Sequence, residues 1–298
     1  MEKASKYLIP LELELGGKDA MIVFEDVNIE RTVNGALWGA LTNAGQSCTS
    51  VERLYVQEEI YSRFINKLEE KISKLNLPTD NQDKFNNFDM GYMTAEFQIK
   101  IVEEHIKDAL EKGAKIITGG KRQENSMFFP PTIITNVNNS MKILNEETFG
   151  PVIPIIKFST EEEVIKLANE TEYGLSASVW TKDIARAERV ARKLKVGNVS
   201  INNVMLTEAN PYLPFGGYKY SGFGKTKGQE GLYAFCNIKS IMIDSQSNKI
   251  EANWYPYTNN KYKYFSKLTD SLFSGGIKLL KMAIPGLKLE NIANKERL

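Results

Sequence analysis

From Thr160 to Asn202 the sequence switches period repeatedly. A helix-like stretch (Thr160–Asn169) leads to a strand-like run (Leu175–Thr181), then a helix (Ile184–Leu194) and another strand (Val196–Asn202). Two strands joined through a helix run in the same direction, because a crossover of that length returns the chain to its starting edge. The run therefore predicts a βαβ unit and a parallel sheet with helices on its faces. The chain ahead of it fits. Asn28–Leu41 reads as a helix capped by Asn28, and Arg53–Gln57 as a short strand. Glu58–Leu75 is an amphipathic helix with Tyr61, Phe64, Ile65, Leu68, Ile72 and Leu75 at helical spacing. Asn76–Asp89 is a polar loop, and Thr94–Lys112 a helix stopped by Gly113. "AKIITGG" reads as a buried strand with a turn, and Pro131–Val137 as a further strand. The expected class is α/β, with an open, largely parallel sheet flanked by helices and a C-terminal extension.

The extension is marked by charge. From Lys249 onward nine basic residues face four acidic ones, although the whole chain of 298 residues has a net charge of only +1. So small a net charge gives no electrostatic case for nucleic acid. Two cysteines make no disulfide framework and fit a reducing cytoplasm. The N-terminus is too polar and acidic for a signal peptide, and no apolar run is long enough for a membrane span.

One of the two cysteines stands in "TNAGQSCT", Thr42–Thr49. A free cysteine is most often a small buried apolar residue. Cys48, however, follows the turn-prone "NAGQ" and precedes "TSVE", which reads as the opening of a helical turn. A thiol at a helix N-terminus has its thiolate stabilised by exposed N–H groups. The usual base for such a thiol is histidine. The single histidine, His105, lies in "IVEEHIKDAL" between carboxylates and reads as a solvated surface residue. A Cys–His hydrolase is thus disfavoured, and a carboxylate becomes the candidate base. No metal is expected, because CxxC and HExxH are both absent. "GKTKGQEG" lacks the glycine spacing of a phosphate loop. Cys236, in the strand-like "AFCNIKSI", is expected to pack in the core.

Four further stretches stand in order: "LELGGK" (Leu13–Lys18), Cys48 34 positions after Glu14, "EETFGP" (Glu146–Pro151) and "PFGGYKYSGFG" (Pro214–Gly224). Together they resemble the aldehyde dehydrogenase superfamily, over roughly Leu11 to Ile243. "FFPPTIITNV" and "YGLSASVWTKD" resemble it too. The resemblance implies that Cys48 attacks an aldehyde carbon, that hydride passes to NAD or NADP, and that Glu14 activates water to hydrolyse the thioester. Glu12 is a rival by residue type, but Glu14 alone directly precedes Leu-Gly-Gly-Lys. Glu147 matches the carboxylate that holds the nicotinamide ribose, Phe149 the aromatic beside the nicotinamide, and Leu15 a position lining the cofactor. Ala20, where many relatives carry proline, is a departure without expected consequence. Glu14 also argues against transfer of the acyl group to coenzyme A, since acylating relatives generally lack this base.

Only 13 residues precede Glu14. In the resembled family most of the dinucleotide-binding domain lies ahead of this point, with the adenosine-ribose lysine and the oxyanion-hole asparagine. The resemblance therefore implies a truncated chain with impaired cofactor binding and little activity alone. The expected divisions are 1–14, a remnant of the dinucleotide-binding domain; 15–218, the catalytic thiol domain; 219–248, an oligomerisation and bridging segment; and 249–298, a basic, aromatic tail. The resemblance implies a small-molecule aldehyde as substrate. The expected partners are further copies of the chain, paired through a strand at about Leu232–Ile243, or a complementing N-terminal half. The alternative is a non-catalytic fragment or partner subunit. In the tail, Phe265, Leu268, Leu272, Leu279 and Leu280 share much of a helical face interrupted by Gly275 and Gly276, among interleaved lysines. Such a segment either packs on protein, the favoured reading, or touches an anionic membrane peripherally.

Overall fold

The structure, a computed structural model, describes residues 1–78, 87–244, 250–274 and 281–296. The chain divides into two compact units, Met1–Asn237 and Ile238–Leu298. Among its described residues the first holds nine strands: β1 (Leu13–Glu14), β2 (Asp19–Val23), β3 (Val51–Gln57), β4 (Lys115–Thr118), β5 (Thr132–Thr135), β6 (Val152–Phe158), β7 (Ser176–Trp180), β8 (Asn198–Ile201) and β9 (Gly222–Phe223). Seven of them form one sheet in the order β4-β5-β6-β3-β2-β7-β8. Every pairing in it is parallel except β4 with β5. The remaining two, β1 and β9, pair antiparallel.

The central strands are apolar on both faces, as a helix-covered parallel sheet demands. All five residues of β2 are buried, and they alternate between two cores. Met21 and Val23 join the larger cluster with Leu54, Val56, Ile133 and Ile153. Ala20 and Ile22 join the smaller one with Tyr55, Phe158 and Val179. Caps fix where the helices begin. Asn28 accepts a hydrogen bond from Arg31 N ahead of helix 29–41, and Asp183 does the same from Arg186 N ahead of 184–193. Thr160 and Glu163 form a reciprocal capping box ahead of 161–169. The βαβ pattern read from Thr160 to Asn202 is present as this helix, β7, the second capped helix and β8.

Several expectations fail. "KIIT" forms β4, but as a half-exposed edge strand rather than a buried one. "TSVE" opens no helix: after Ser50 the chain enters β3 directly. Cys236 is exposed, following the short helix Gly228–Tyr233, and no strand occurs between Leu232 and Asp244. His105 is buried, with 2% of its surface accessible. Of the polar loop 76–89, residues 79–86 lie outside the described residues.

The second unit contains helices Asn259–Phe273 and Ala283–Lys295, which pack on each other. Lys261 donates to the Trp254 carbonyl at 2.6 Å. Lys267 and Lys288 both stand over the Tyr264 ring. Phe265 and Leu268 are half-buried, Leu272 is exposed, and Gly275, Gly276, Leu279 and Leu280 lie outside the described residues. Among the described residues no helix is long and apolar enough to cross a membrane.

Candidate active site

Backbone contacts bring the four sequence stretches together. β1 carries Glu14 and Leu15 follows it, its N–H bonded to the Ser221 carbonyl at 3.2 Å. The chain then turns through Gly16–Gly17 into β2. A Cβ on Gly17 would come within 2.4 Å of the Cys48 carbonyl oxygen, so this close approach requires glycine. The Gly17 N–H also donates to Glu147 Oε1 at 2.8 Å. One glycine thus touches both the thiol loop and the "EETFGP" loop. A Cβ on Gly216, in "PFGG", would stand 3.0 Å from Glu14 Oε1, which places the fourth stretch against the candidate base.

The thiol loop has an unusual backbone. Asn43, Ala44 and Gly45 are all left-handed, with φ of 53°, 55° and 72°. Such a conformation costs a non-glycine residue on the order of 1 kcal/mol or more. Reciprocal bonds between Asn43 and Gln46, each side-chain amide donating to the other's carbonyl at 2.9 Å, hold the turn. A Cβ on Gly45 would meet the Gly150 carbonyl oxygen at 2.2 Å, so the thiol loop packs directly on the Glu147 loop. Phe149, half-buried, also has positive φ, 47°.

A buried ion pair anchors that second loop. Lys18 and Glu52 meet at 2.5 Å with almost no side-chain exposure. Glu52 accepts the N–H groups of Thr148 and Phe149, each at 2.8 Å. Lys18 also donates to Thr148 Oγ1 at 3.0 Å, and His105 Nδ1 lies 3.1 Å from the same oxygen. His105 Nε2 stands 3.4 Å from Glu146. Burial pulls Lys18 and His105 below their ordinary pKa ranges, with Glu52 and Glu146 respectively opposing the shift. The pair and His105 escaped the sequence reading. A lysine and a glutamate opening two apolar strands were the available signal, since such charges are rarely buried unless paired.

The electrostatics run against an activated thiol. Burial pushes Cys48 up to about 11, and the carboxylates of Glu208, Asp19, Glu14 and Glu147 push the same way. With no helix starting at Cys48, no helix dipole opposes them. Burial likewise raises Glu14, which Lys225 and Lys227 partly counter, and raises Glu147, which the Gly17 N–H counters. A carboxyl raised toward neutrality is suited to accepting and returning a proton. Asp19, fully buried against Ser176, is raised to about 8 by burial. Among the described residues no group of His, Cys, Asp and Glu could hold a metal ion.

The half-buried thiol and the raised carboxyl thus stand on loops that meet at the amino ends of β2, β3 and β6. Residues 1–241 match the aldehyde dehydrogenase family, and the chain belongs to it. It is 42% identical to 4,4'-diapolycopene aldehyde oxidase of Methylomonas sp over 273 residues, which is 92% of this chain and 50% of that protein. It is also 42% identical to the succinate-semialdehyde dehydrogenase [NADP(+)] GabD of Escherichia coli, over 82% of this chain and 50% of the relative. Among solved structures, a Staphylococcus aureus betaine aldehyde dehydrogenase in complex with NAD+ superposes with a TM-score of 0.71 at 39% identity, covering 79% of this chain and 46% of that one. The chain spans about half the length of the curated relatives it matches.

Proposed function

We propose that this chain carries the acyl-transfer centre of an NAD(P)-dependent aldehyde dehydrogenase, with Cys48 as nucleophile and Glu14 as general base. The supporting observation is the convergence on Gly17, which abuts the Cys48 carbonyl and binds Glu147 at once. Cys48 Sγ loses its proton and bonds to the aldehyde carbon, giving a thiohemiacetal. The adduct's hydroxyl then gives up its proton to solvent as the carbon expels hydride, for which NAD or NADP would be the acceptor, and a thioester remains. Glu14 takes a proton from water, the water oxygen attacks the thioester carbon, and the C–S bond breaks to release carboxylic acid and thiolate.

The residues present fit the nicotinamide end of a dinucleotide. The Glu147 carboxylate packs against Gly16, where a Cβ would stand 2.2 Å from its Oε2, and from this position Glu147 would hold the ribose hydroxyls. Phe149 and Leu15 would flank the ring. NAD or NADP, when bound, supplies the hydride acceptor. Glu52 holds the loop that carries Glu147 and Phe149 by accepting the N–H groups of Thr148 and Phe149.

The test is aldehyde-dependent NAD(P)H formation by the purified protein with both cofactors. The reading predicts that any formation, by the chain alone or with a complementing N-terminal half added, is abolished by Cys48→Ala; formation that survives Cys48→Ala contradicts it. A second reading, pairing with another chain, is favoured by the exposure of Leu232 and Phe235, at 72% and 86%. It predicts a mass in solution above that of the monomer. Similarity does not choose the aldehyde, since relatives named for succinate semialdehyde and for 4,4'-diapolycopene aldehyde are both 42% identical.

A further inference from the structure

Glu208 belongs to none of the stretches that define the family, yet it reaches the thiol loop. It lies in the short helical turn Leu206–Ala209, entered through Met205 in a left-handed conformation with φ of 59°. Its carboxylate accepts a hydrogen bond from Thr49 Oγ1 at 2.6 Å, one residue after Cys48. Thr49 is itself buried, so the bond holds the turn against the thiol loop. Lys227 donates to the Glu208 backbone carbonyl and so ties the turn down from the other side. Among the described residues no ion pair reaches the Glu208 carboxylate itself, the Lys227 ammonium being spent on the backbone carbonyl.

We propose that Glu208 selects the substrate: its standing negative charge beside the thiol turns away aldehydes that carry a carboxylate and leaves uncharged or cationic aldehydes as the class accepted. This rests on the reading of Cys48 as nucleophile. The surroundings agree. Of the acidic side chains that weigh on the thiol, Glu208 comes first, ahead of Asp19, Glu14 and Glu147. Asp19, held protonated by burial up to about pH 8, adds little charge. Lys225 and Lys227 bear on Glu14, but Lys225 is turned to the Gly216 carbonyl at 2.9 Å, and neither is among the charges weighing most on the thiol. An aldehyde must bring its carbonyl carbon to Sγ, so a carboxylate a few bonds away would have to sit in this field. Like charges facing one another in a partly buried site are strongly disfavoured.

The test uses the whole chain and its two cysteines. Cys48 and Cys236 are alkylated with neutral iodoacetamide and with anionic iodoacetate at one pH, and each site is followed by peptide mass spectrometry. Taking the ratio of the two rates cancels the thiolate fraction and leaves the effect of reagent charge. Exposed Cys236 serves as the internal reference. The iodoacetamide preference is expected to be larger at Cys48 than at Cys236. Glu208→Gln, which keeps an acceptor for Thr49, is expected to lower it about three- to tenfold at Cys48 only. Added salt is expected to lower it in the unmutated chain, which keeps the test decisive where the variant does not fold. Equal preferences at the two cysteines, insensitive to salt, overturn the proposal, as does an unchanged preference in folded Glu208→Gln. Aldehyde protection separates the two levels of the claim. Hexanal is expected to slow Cys48 alkylation at lower concentration than succinate semialdehyde. Equal protection by both removes the inference alone, and protection by neither removes the proposed function beneath it.

Discussion

Cys48 shows how far one residue's chemistry departs from its motif. The sequence placed it at a helix start, where its thiolate would be stabilised; the structure puts it before β3, amid burial and carboxylates that hold the thiol protonated to about pH 11. Its iodoacetamide alkylation is therefore expected to keep rising with pH through about 11, followed by peptide mass spectrometry. A plateau near neutrality would show an activating partner. Asp19 carries the opposite kind of prediction, one of stability. It stays protonated in the folded protein to about pH 8, against an ordinary value of 3.8. Between those values the folded state holds a proton that the unfolded state has lost, so rising pH lowers stability across this window. The contribution is fully present below the unfolded value and lost by the folded one. Asp19→Asn is expected to flatten the dependence of the urea midpoint on pH between about 4 and 8. The residues that escaped sequence reading share one cause. His105 was read as solvated from its charged neighbours, yet its partner Thr148 lies 43 positions away. Glu208 acts through Thr49, 159 positions distant. No local pattern carries such contacts.

At the scale of elements, strands and helices were legible where period and caps agree. β2, β7 and the capped helices after Asn28, Thr160 and Asp183 are of this kind. "KIIT" was misjudged because its apolar composition says nothing of its place at the sheet's antiparallel edge. The segment from Leu232 to Ile243 forms no strand within the chain and leaves Ile241 and Met242 77% and 97% exposed; the neighbour its expected strand needs is a further copy of the chain. The element that matters most to the site is the ion pair joining the starts of β2 and β3. Glu52→Ala strands the buried Lys18 ammonium and two N–H groups, and is expected to cost about 3–5 kcal/mol. Urea denaturation measures this loss. Lys18→Met combined with Glu52→Gln is expected to recover most of it, because no charge then stays buried alone.

At the scale of the whole molecule, the chain spans about half the length of the curated relatives it matches while bringing Cys48 and Glu147 together at Gly17. The aldehyde dehydrogenase class was legible because the chemistry fixes short motifs at fixed separations. The tail was not, since its lysines and aromatics suit membrane or protein alike. Its own unit uses several of them, with Lys261 on the Trp254 carbonyl and two lysines over Tyr264. Packing on protein predicts the same co-sedimentation with anionic vesicles whether or not the residues after Lys249 are present; a loss on their removal would favour membrane contact. The central claim is that Cys48 forms an acyl intermediate which Glu14 resolves. 4-Nitrophenyl acetate tests it most directly, because an ester acylates the thiol without hydride transfer or cofactor. The account predicts that the acetyl group appears on Cys48, and that Glu14→Gln makes it persist about 10²–10⁴ times longer. Acetylation confined to other residues, or nitrophenol release undiminished in Cys48→Ala, would contradict it.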